Sequence, residues 1–197
     1  GSRVNVTNKR KVSAVAKSAL KPKKYSRLLF RLIQFYQPKT VLELGTCFGI
    51  TTAYLANGNK TAEVLTMEGA KQIAAIAQQD FKTLGLKNIE LILGNMDNTL
   101  PELIDRFQQE HKTLDFVFID GNHREEPTVR YFEQFLPIIN EYSILVFDDI
   151  HWSEGMKAAW QKIIAHEQVT LSIDLFFVGL VFFRKENKVK QHFSIRF

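Results

Sequence analysis

The sequence predicts an α/β fold: a mostly parallel, doubly wound sheet with helices on both faces. Three observations carry this. Beyond Gln37-Pro38, apolar runs of five or six residues alternate with helix-period segments, the order that builds parallel strands joined by crossover helices. The runs are near-continuous Val, Ile, Leu and Phe, as strands covered on both faces require. The first run opens into Gly45 and Gly49, a strand-to-helix turn at which a ligand can approach the main chain with no Cβ in the way.

Taken in order, Tyr25, Leu28, Leu29, Leu32, Ile33 and Tyr36 recur at helical spacing and predict a helix that docks beside the first strand. The strands follow at Thr40 to Leu44, Ala62 to Met67, Ile89 to Leu93, Leu114 to Ile119 and Tyr142 to Phe147. Between and after them lie helical patterns at Ile50 to Ala56, at Ala70 to Leu84 closed by Gly85, at Leu100 to Glu110, at Pro127 to Ile139 and at Ser153 to His166. After Val169 the character changes to three apolar stretches with no helix between them: Leu171 to Leu175, Gly179 to Phe183 and His192 to Ile195. These predict an antiparallel edge hairpin at the C-terminus of a Rossmann-like sheet. Its turn is left open between Gly179 and Glu186-Asn187-Lys188.

At 197 residues the chain fits one domain with a sizeable core. The division expected is a basic leader and helix over residues 1–39 and the α/β domain over 40–197. Gly1-Ser2 reads as a cloning remnant. No apolar run reaches membrane-spanning length, no signal peptide is read, and the single Cys47 rules out an internal disulfide, so a reducing, cytoplasmic setting is expected. Cys47 itself has two readings, a reactive thiol in the glycine loop or a small buried apolar residue. Residues 1–42 hold 11 Lys or Arg and no acid, whereas the remainder holds 15 basic against 21 acidic residues, a split of +11 and −6. Such an arm can meet nucleic acid, anionic lipid or an acidic substrate, or simply be a solvated leader ahead of the surface helix, the favoured reading. Lys9, Arg10, Lys11 and Lys17 have no interleaved aromatics, so the base-stacking surface of a nucleic-acid binder is missing.

The glycine loop narrows the cofactor. Gly45-Thr46-Cys47-Phe48-Gly49 lacks the middle glycine of the dinucleotide fingerprint and the Gly-Lys-Ser/Thr ending of a phosphate loop. The next strand ends in Met67-Glu68-Gly69, with Glu68 lying 23 residues after Gly45. That carboxylate is placed to accept hydrogen bonds from ribose hydroxyls, or else to cap the helix that follows. The third strand ends in Leu93-Gly94-Asn95-Met96, an ordinary polar turn on its residues alone; its likeness to the same strand end of methyltransferases implies Asn95 on the adenine amino group and Met96 against the ring. With Glu43-x-Gly45-x-x-x-Gly49, these strand ends resemble the class I S-adenosylmethionine-dependent methyltransferases. The resemblance implies S-adenosylmethionine held by Glu43, Gly45, Thr46, Gly49, Glu68, Gly94, Asn95, Met96 and Asp120.

Two later segments sharpen the likeness. Phe118-Ile119-Asp120-Gly121-Asn122-His123 follows the fourth strand and Val146-Phe147-Asp148-Asp149-Ile150-His151-Trp152 the fifth. They are similar to the metal-dependent catechol and caffeoyl-coenzyme-A type O-methyltransferases and their bacterial relatives. That likeness implies a divalent cation, Mg²⁺ by preference, on Asp120, Asp148 and Asp149, with Asp149 standing where the family usually carries Asn. Neighbouring parallel strands lie about 5 Å apart, so carboxylates at adjacent strand ends can share one ion, and a hard cation relieves their mutual repulsion. Asp148 and Asp149 can both ligate only where the strand has ended. His123, where the family carries a catalytic lysine, is either the base beside Asp120, since a histidine titrates near neutrality, or a partly exposed loop histidine with no role. The activity implied is O-methylation of a small hydroxylated substrate. An RNA- or protein-directed methyltransferase and a non-catalytic cofactor-binding module are the other readings, and the aromatic C-terminal strands allow a homodimer.

Overall fold

A computed structural model of the chain describes residues 22–197; the basic stretch at Lys9 to Lys17 lies outside the described residues. Among the described residues the sheet has eight strands, β1 (Thr40–Leu44), β2 (Glu63–Glu68), β3 (Ile89–Leu93), β4 (Leu114–Ile119), β5 (Ile139–Asp148), β6 (Leu171–Asp174), β7 (Val178–Phe182) and β8 (Gln191–Ser194), in the order β3-β2-β1-β4-β5-β7-β6-β8. The described residues resolve into two compact units, one of residues 22–39 and 45–99, the other of 40–44 and 100–197.

In the first unit, α1 (Lys23–Tyr36) buries Tyr25, Ser26, Leu29 and Ile33 along one stripe, the spacing that amphipathic burial demands. It stops where Gln37 turns left-handed (φ 48°) and donates its N–H to Ile33 O, just before Pro38. Then α2 (Ile50–Gly58) runs two residues past the expected Ala56. A Cβ on Gly58 would stand 2.7 Å from Ile33, so the bare glycine lets this last turn press on α1. β2 (Glu63–Glu68) pairs in parallel with β3 (Ile89–Leu93), and α3 (Lys71–Thr83) joins them, burying Ala74, Ala77 and Phe81. Val64 to Met67 are all buried, whereas the end strand β3 is half open to solvent.

The next helix, α4 (Met96–Gln109), begins four residues before the expected Leu100 and carries Pro101 inside it. The reason is local. Asn95 Oδ1 accepts the Asp97 N–H and Asn95 O accepts the Thr99 N–H, so the helix is capped ahead of its proline.

In the second unit, β1 (Thr40–Leu44), β4 (Leu114–Ile119) and β5 (Ile139–Asp148) run parallel. β5 starts three residues before the expected Tyr142 because the β4–β5 register shifts between Leu114 and Phe116. Ser143 fills that irregularity, its Oγ accepting the Asn140 N–H and donating to Leu114 O. α5 (Glu125–Phe135) closes in a 3₁₀ turn at Leu136–Ile138, and α6 (Glu154–Ala165) starts at Ser153, whose Oγ accepts the Met156 N–H. Phe116, Phe118, Tyr131, Phe132, Phe135, Phe147 and Trp160 are fully buried; this aromatic core is the main packing force of the unit.

The expected antiparallel hairpin is β6 (Leu171–Asp174) with β7 (Val178–Phe182), and β7 is also antiparallel to β5. It turns at Leu175 to Phe177, just ahead of Gly179, where Asp174 Oδ1 accepts the Phe176 N–H. β8 (Gln191–Ser194) pairs with β6 in parallel instead of extending the antiparallel run. The connection that carries it there is pinned at Lys190, whose ammonium donates to the carbonyls of Ile164, Ala165 and His166 at the end of α6, the favourable terminus for a cation. Gly179 itself lies under Trp160, with ring atoms 2.6–3.0 Å from where a Cβ would stand. Gly179→Ala is therefore expected to cost about 1–3 kcal/mol by overpacking, or about 2–4 °C in Tm per kcal/mol for a chain of this size. Unchanged thermal unfolding would show that the indole moves aside freely.

Candidate functional site

In the first unit the site residues gather around the loop after β1. Gly45 (φ 105°) and Gly49 (φ 75°) take left-handed backbone, which glycine adopts without a Cβ penalty. The Gly45 and Thr46 N–H groups both donate to Met67 O, and Thr46 Oγ1 meets Thr66 Oγ1 at 2.6 Å, so the loop is stitched to β2. Gly49 has a second reason to be glycine: a Cβ would stand 2.3 Å from the Phe81 ring and 3.2 Å from Ala77. Cys47, also left-handed (φ 47°) and half-buried, donates its N–H to Glu68 Oε2 at 2.9 Å, and Ala70 N–H donates to Glu68 Oε1 at 2.8 Å. Glu68 thus braces the loop and caps the approach to α3 at once. Each carboxylate oxygen keeps a further acceptor site, so ribose hydroxyls remain within its chemistry. Gly94 takes its N–H to Glu68 O, Asn95 is exposed with its Oδ1 on the cap of α4, and Met96 opens that helix half-buried.

In the second unit Glu43 is wholly buried on β1, in register with Phe118. Asp120 follows β4, and its N–H donates to Leu44 O at 2.9 Å. The turn beyond holds Asn122 and His123 at positive φ (65° and 29°). Asn122 is clamped there, its Nδ2 donating to Tyr131 Oη and its Oδ1 accepting from Arg124. This brings His123 Nε2 to 3.5 Å from Asp120 Oδ1. Asp148, the buried last residue of β5, completes the group: one ligand atom each from Asp120, His123 and Asp148 lie within 4.8 Å of one another. Asp149 is outside that group. With φ 53° the strand has ended there, and it lines instead a depression of about 220 Å³ with His151, Trp152, Phe176 and Phe177.

A family model described as a methyltransferase domain matches residues 42–150. The chain belongs to the methyltransferase-domain family. A catechol O-methyltransferase of Niastella koreensis is 29% identical to it over 126 residues, 63% of this chain and 55% of that protein. The chain thus spans about half the length of the curated relatives it matches. The O-methyltransferase from Bacillus cereus, solved in complex with SAH, superposes with a TM-score of 0.68 at 20% identity over 90% of this chain and 93% of that one. The SAH-bound methyltransferase PaMTH1 of Podospora anserina gives 0.73 at 17% identity over 85% and 81%. These likenesses are of fold. The family agrees with the resemblance to class I methyltransferases of the catechol and caffeoyl-coenzyme-A type.

In this methyltransferase domain His151 reads from the sequence as packing beside Trp152, and Asp174 escaped the reading. His151 pairs with Asp174, Nε2 to Oδ2 at 2.7 Å; only the run of Asp148, Asp149 and His151 hinted at the first, and nothing local marks the second. Burial disfavours charge on His123, but its hydrogen bond to Asp120 and the charges of Asp120, Asp148 and Asp149 outweigh this and raise its pKa above the ordinary 6.5. A raised value means that folding favours the protonated ring. The stability His123 contributes is present in full below pH 6.5 and lost as pH rises through the higher folded-state value. The Tm advantage of wild type over His123→Gln should shrink across that interval; a constant difference would show that the charge of His123 is not coupled to folding.

Proposed function

We infer that the chain transfers a methyl group from S-adenosylmethionine to an oxygen of a small hydroxylated acceptor, assisted by a divalent cation. The observation that carries this is the convergence of Asp120, His123 and Asp148 within 4.8 Å in a methyltransferase domain. The cofactor supplies an electrophilic methyl, and Gly45, Thr46, Glu68, Asn95 and Met96 would bind it. A cation on Asp120 and Asp148 would supply positive charge that favours an ionised acceptor oxygen. Two carboxylates with water in the remaining positions suit Mg²⁺ or Mn²⁺, which leaves the imidazole of His123 free for the proton. The protein's own part is positioning: the Asn122 clamp holds His123 over Asp120, and His123 takes the acceptor's proton. Asp149 contributes negative charge next to these groups.

Within this reading, residues 40–197 carry the chemistry and the basic leader acts on acceptor affinity. Calorimetry with S-adenosylhomocysteine and with NAD, followed by methyl transfer to a panel of hydroxylated aromatics before and after chelation, tests it. Tight binding of NAD alone would sink the cofactor assignment, and full turnover after exhaustive chelation would remove the cation. A salt-sensitive, tight complex with RNA would move the reading to a nucleic-acid methyltransferase.

A further inference from the structure

The His151–Asp174 pair is not used by the chemistry above, yet it is built with care. Asp174, at the end of β6, accepts the Phe176 N–H on Oδ1 at 2.7 Å and lies 2.7 Å from His151 Nε2 through Oδ2. The Phe176 ring stacks on the imidazole, centroids 5.4 Å apart and planes at 24°. One edge and one face of the imidazole are therefore fixed. A carboxylate only accepts, so in the neutral ring Nε2 carries the hydrogen and Nδ1 is left with a bare lone pair. Among the described residues nothing hydrogen-bonds to Nδ1.

The ring also faces a place for a ligand. His151 lines the 220 Å³ depression with Asp149, Trp152, Phe176 and Phe177. Trp152, Phe176 and Phe177 are 71%, 63% and 49% exposed, large aromatics that soluble surfaces seldom leave in one cluster without a use. A dry cavity of about 150 Å³ accepts benzene, so this one has room for a single substituted ring. Asp149 and His151 lie on the β5–α6 connection that directly follows Asp148, one side of the proposed acceptor site.

The geometry points to His151 as a specificity-determining residue, with Asp174 as its positioning residue. Nδ1 accepts a hydrogen bond from an O–H or N–H substituent of the acceptor other than the oxygen that is methylated, while the flat body of that acceptor lies on the Trp152, Phe176 and Phe177 rings. A substrate lacking that donor leaves the lone pair desolvated and unpaired, the usual source of discrimination in a polar subsite. This assignment rests on the methyl-transfer reading for the word acceptor, but not for the hydrogen bond.

The test uses the full chain saturated with S-adenosylhomocysteine and labelled on its imidazole nitrogens. Nitrogen NMR should find His151 protonated on Nε2 and bare on Nδ1. Adding pyrogallol should move the Nδ1 resonance, and adding its trimethyl ether should not. Asp174→Asn offers the ring an amide that can donate, which releases the tautomer; His151→Phe keeps the stacking and removes the acceptor. In both variants kcat/KM for pyrogallol relative to catechol should fall about three- to tenfold, the worth of one neutral hydrogen bond, with S-adenosylhomocysteine affinity unchanged. A wild-type ring protonated on Nδ1, or a preference unmoved in both variants, overturns the assignment. A normal Nδ1 response to pyrogallol with no methyl transfer to any acceptor supports the subsite and overturns the activity instead.

Discussion

Asp120→Asn and Asp148→Asn should each lower methyl transfer by on the order of 10²–10⁴-fold while S-adenosylhomocysteine still binds as to wild type. Asparagine keeps the shape of both side chains and removes the charge. Asp148 is only 5% exposed, so the missing charge is not made good by solvent, and a cation loses one of two carboxylates. Asp120 has a second duty: its hydrogen bond and charge raise the His123 pKa against burial. With asparagine there, burial acts less opposed, and His123 gives up its proton at lower pH. The acid limb of the pH–rate profile should then move down for Asp120→Asn by more than for Asp148→Asn, which takes from His123 a neighbouring charge but no hydrogen bond. Comparing the two profiles at saturating acceptor separates cation holding from base tuning. Wild-type turnover in both variants would leave the carboxylates a purely structural role and withdraw the cation with them.

The strand ends were legible because they are local. A parallel strand buried on both faces must read as an unbroken apolar run, and its carboxyl end must switch to polar or glycine; Leu44-Gly45, Met67-Glu68 and Ile119-Asp120 all do so. What escaped depends on contacts far apart in sequence. The start of α4 hid behind Pro101, which reads as a first-turn proline until Asn95 is seen to cap the helix upstream. The parallel β8 is reached through a connection that Lys190 ties to the end of α6, across 24 to 26 residues. His151 and Asp174 stand 23 residues apart and meet only because β6 returns beside β5 through β7. Gly49 shows a motif residue with two explanations: its spacing fits a cofactor loop, while the close Phe81 ring would demand glycine even without a ligand.

Glu68→Ala is the change expected to weaken the cofactor most, by about 10²-fold if two charged hydrogen bonds to ribose are lost at the lower end of about 1.5–3 kcal/mol each. The difficulty is that Glu68 has structural work as well. Its two oxygens hold the Cys47 and Ala70 N–H groups, so alanine loosens the glycine loop and lowers stability by about 1–3 kcal/mol, discounted because the side chain is half-exposed. Glu68→Gln separates the two roles. One amide oxygen can still accept one of the N–H groups, while the amide nitrogen faces the other as donor against donor, so stability should recover only in part. The same amide can donate to a ribose oxygen but accepts through a single oxygen, so affinity should fall between alanine and wild type. Calorimetry with S-adenosylhomocysteine on all three proteins, each well below its own Tm, gives the comparison. A graded loss of affinity that exceeds the graded loss of stability assigns the carboxylate to the cofactor. Unaltered affinity in Glu68→Ala, together with a lowered Tm, would make Glu68 a loop brace alone and shift the ribose contact to another strand end.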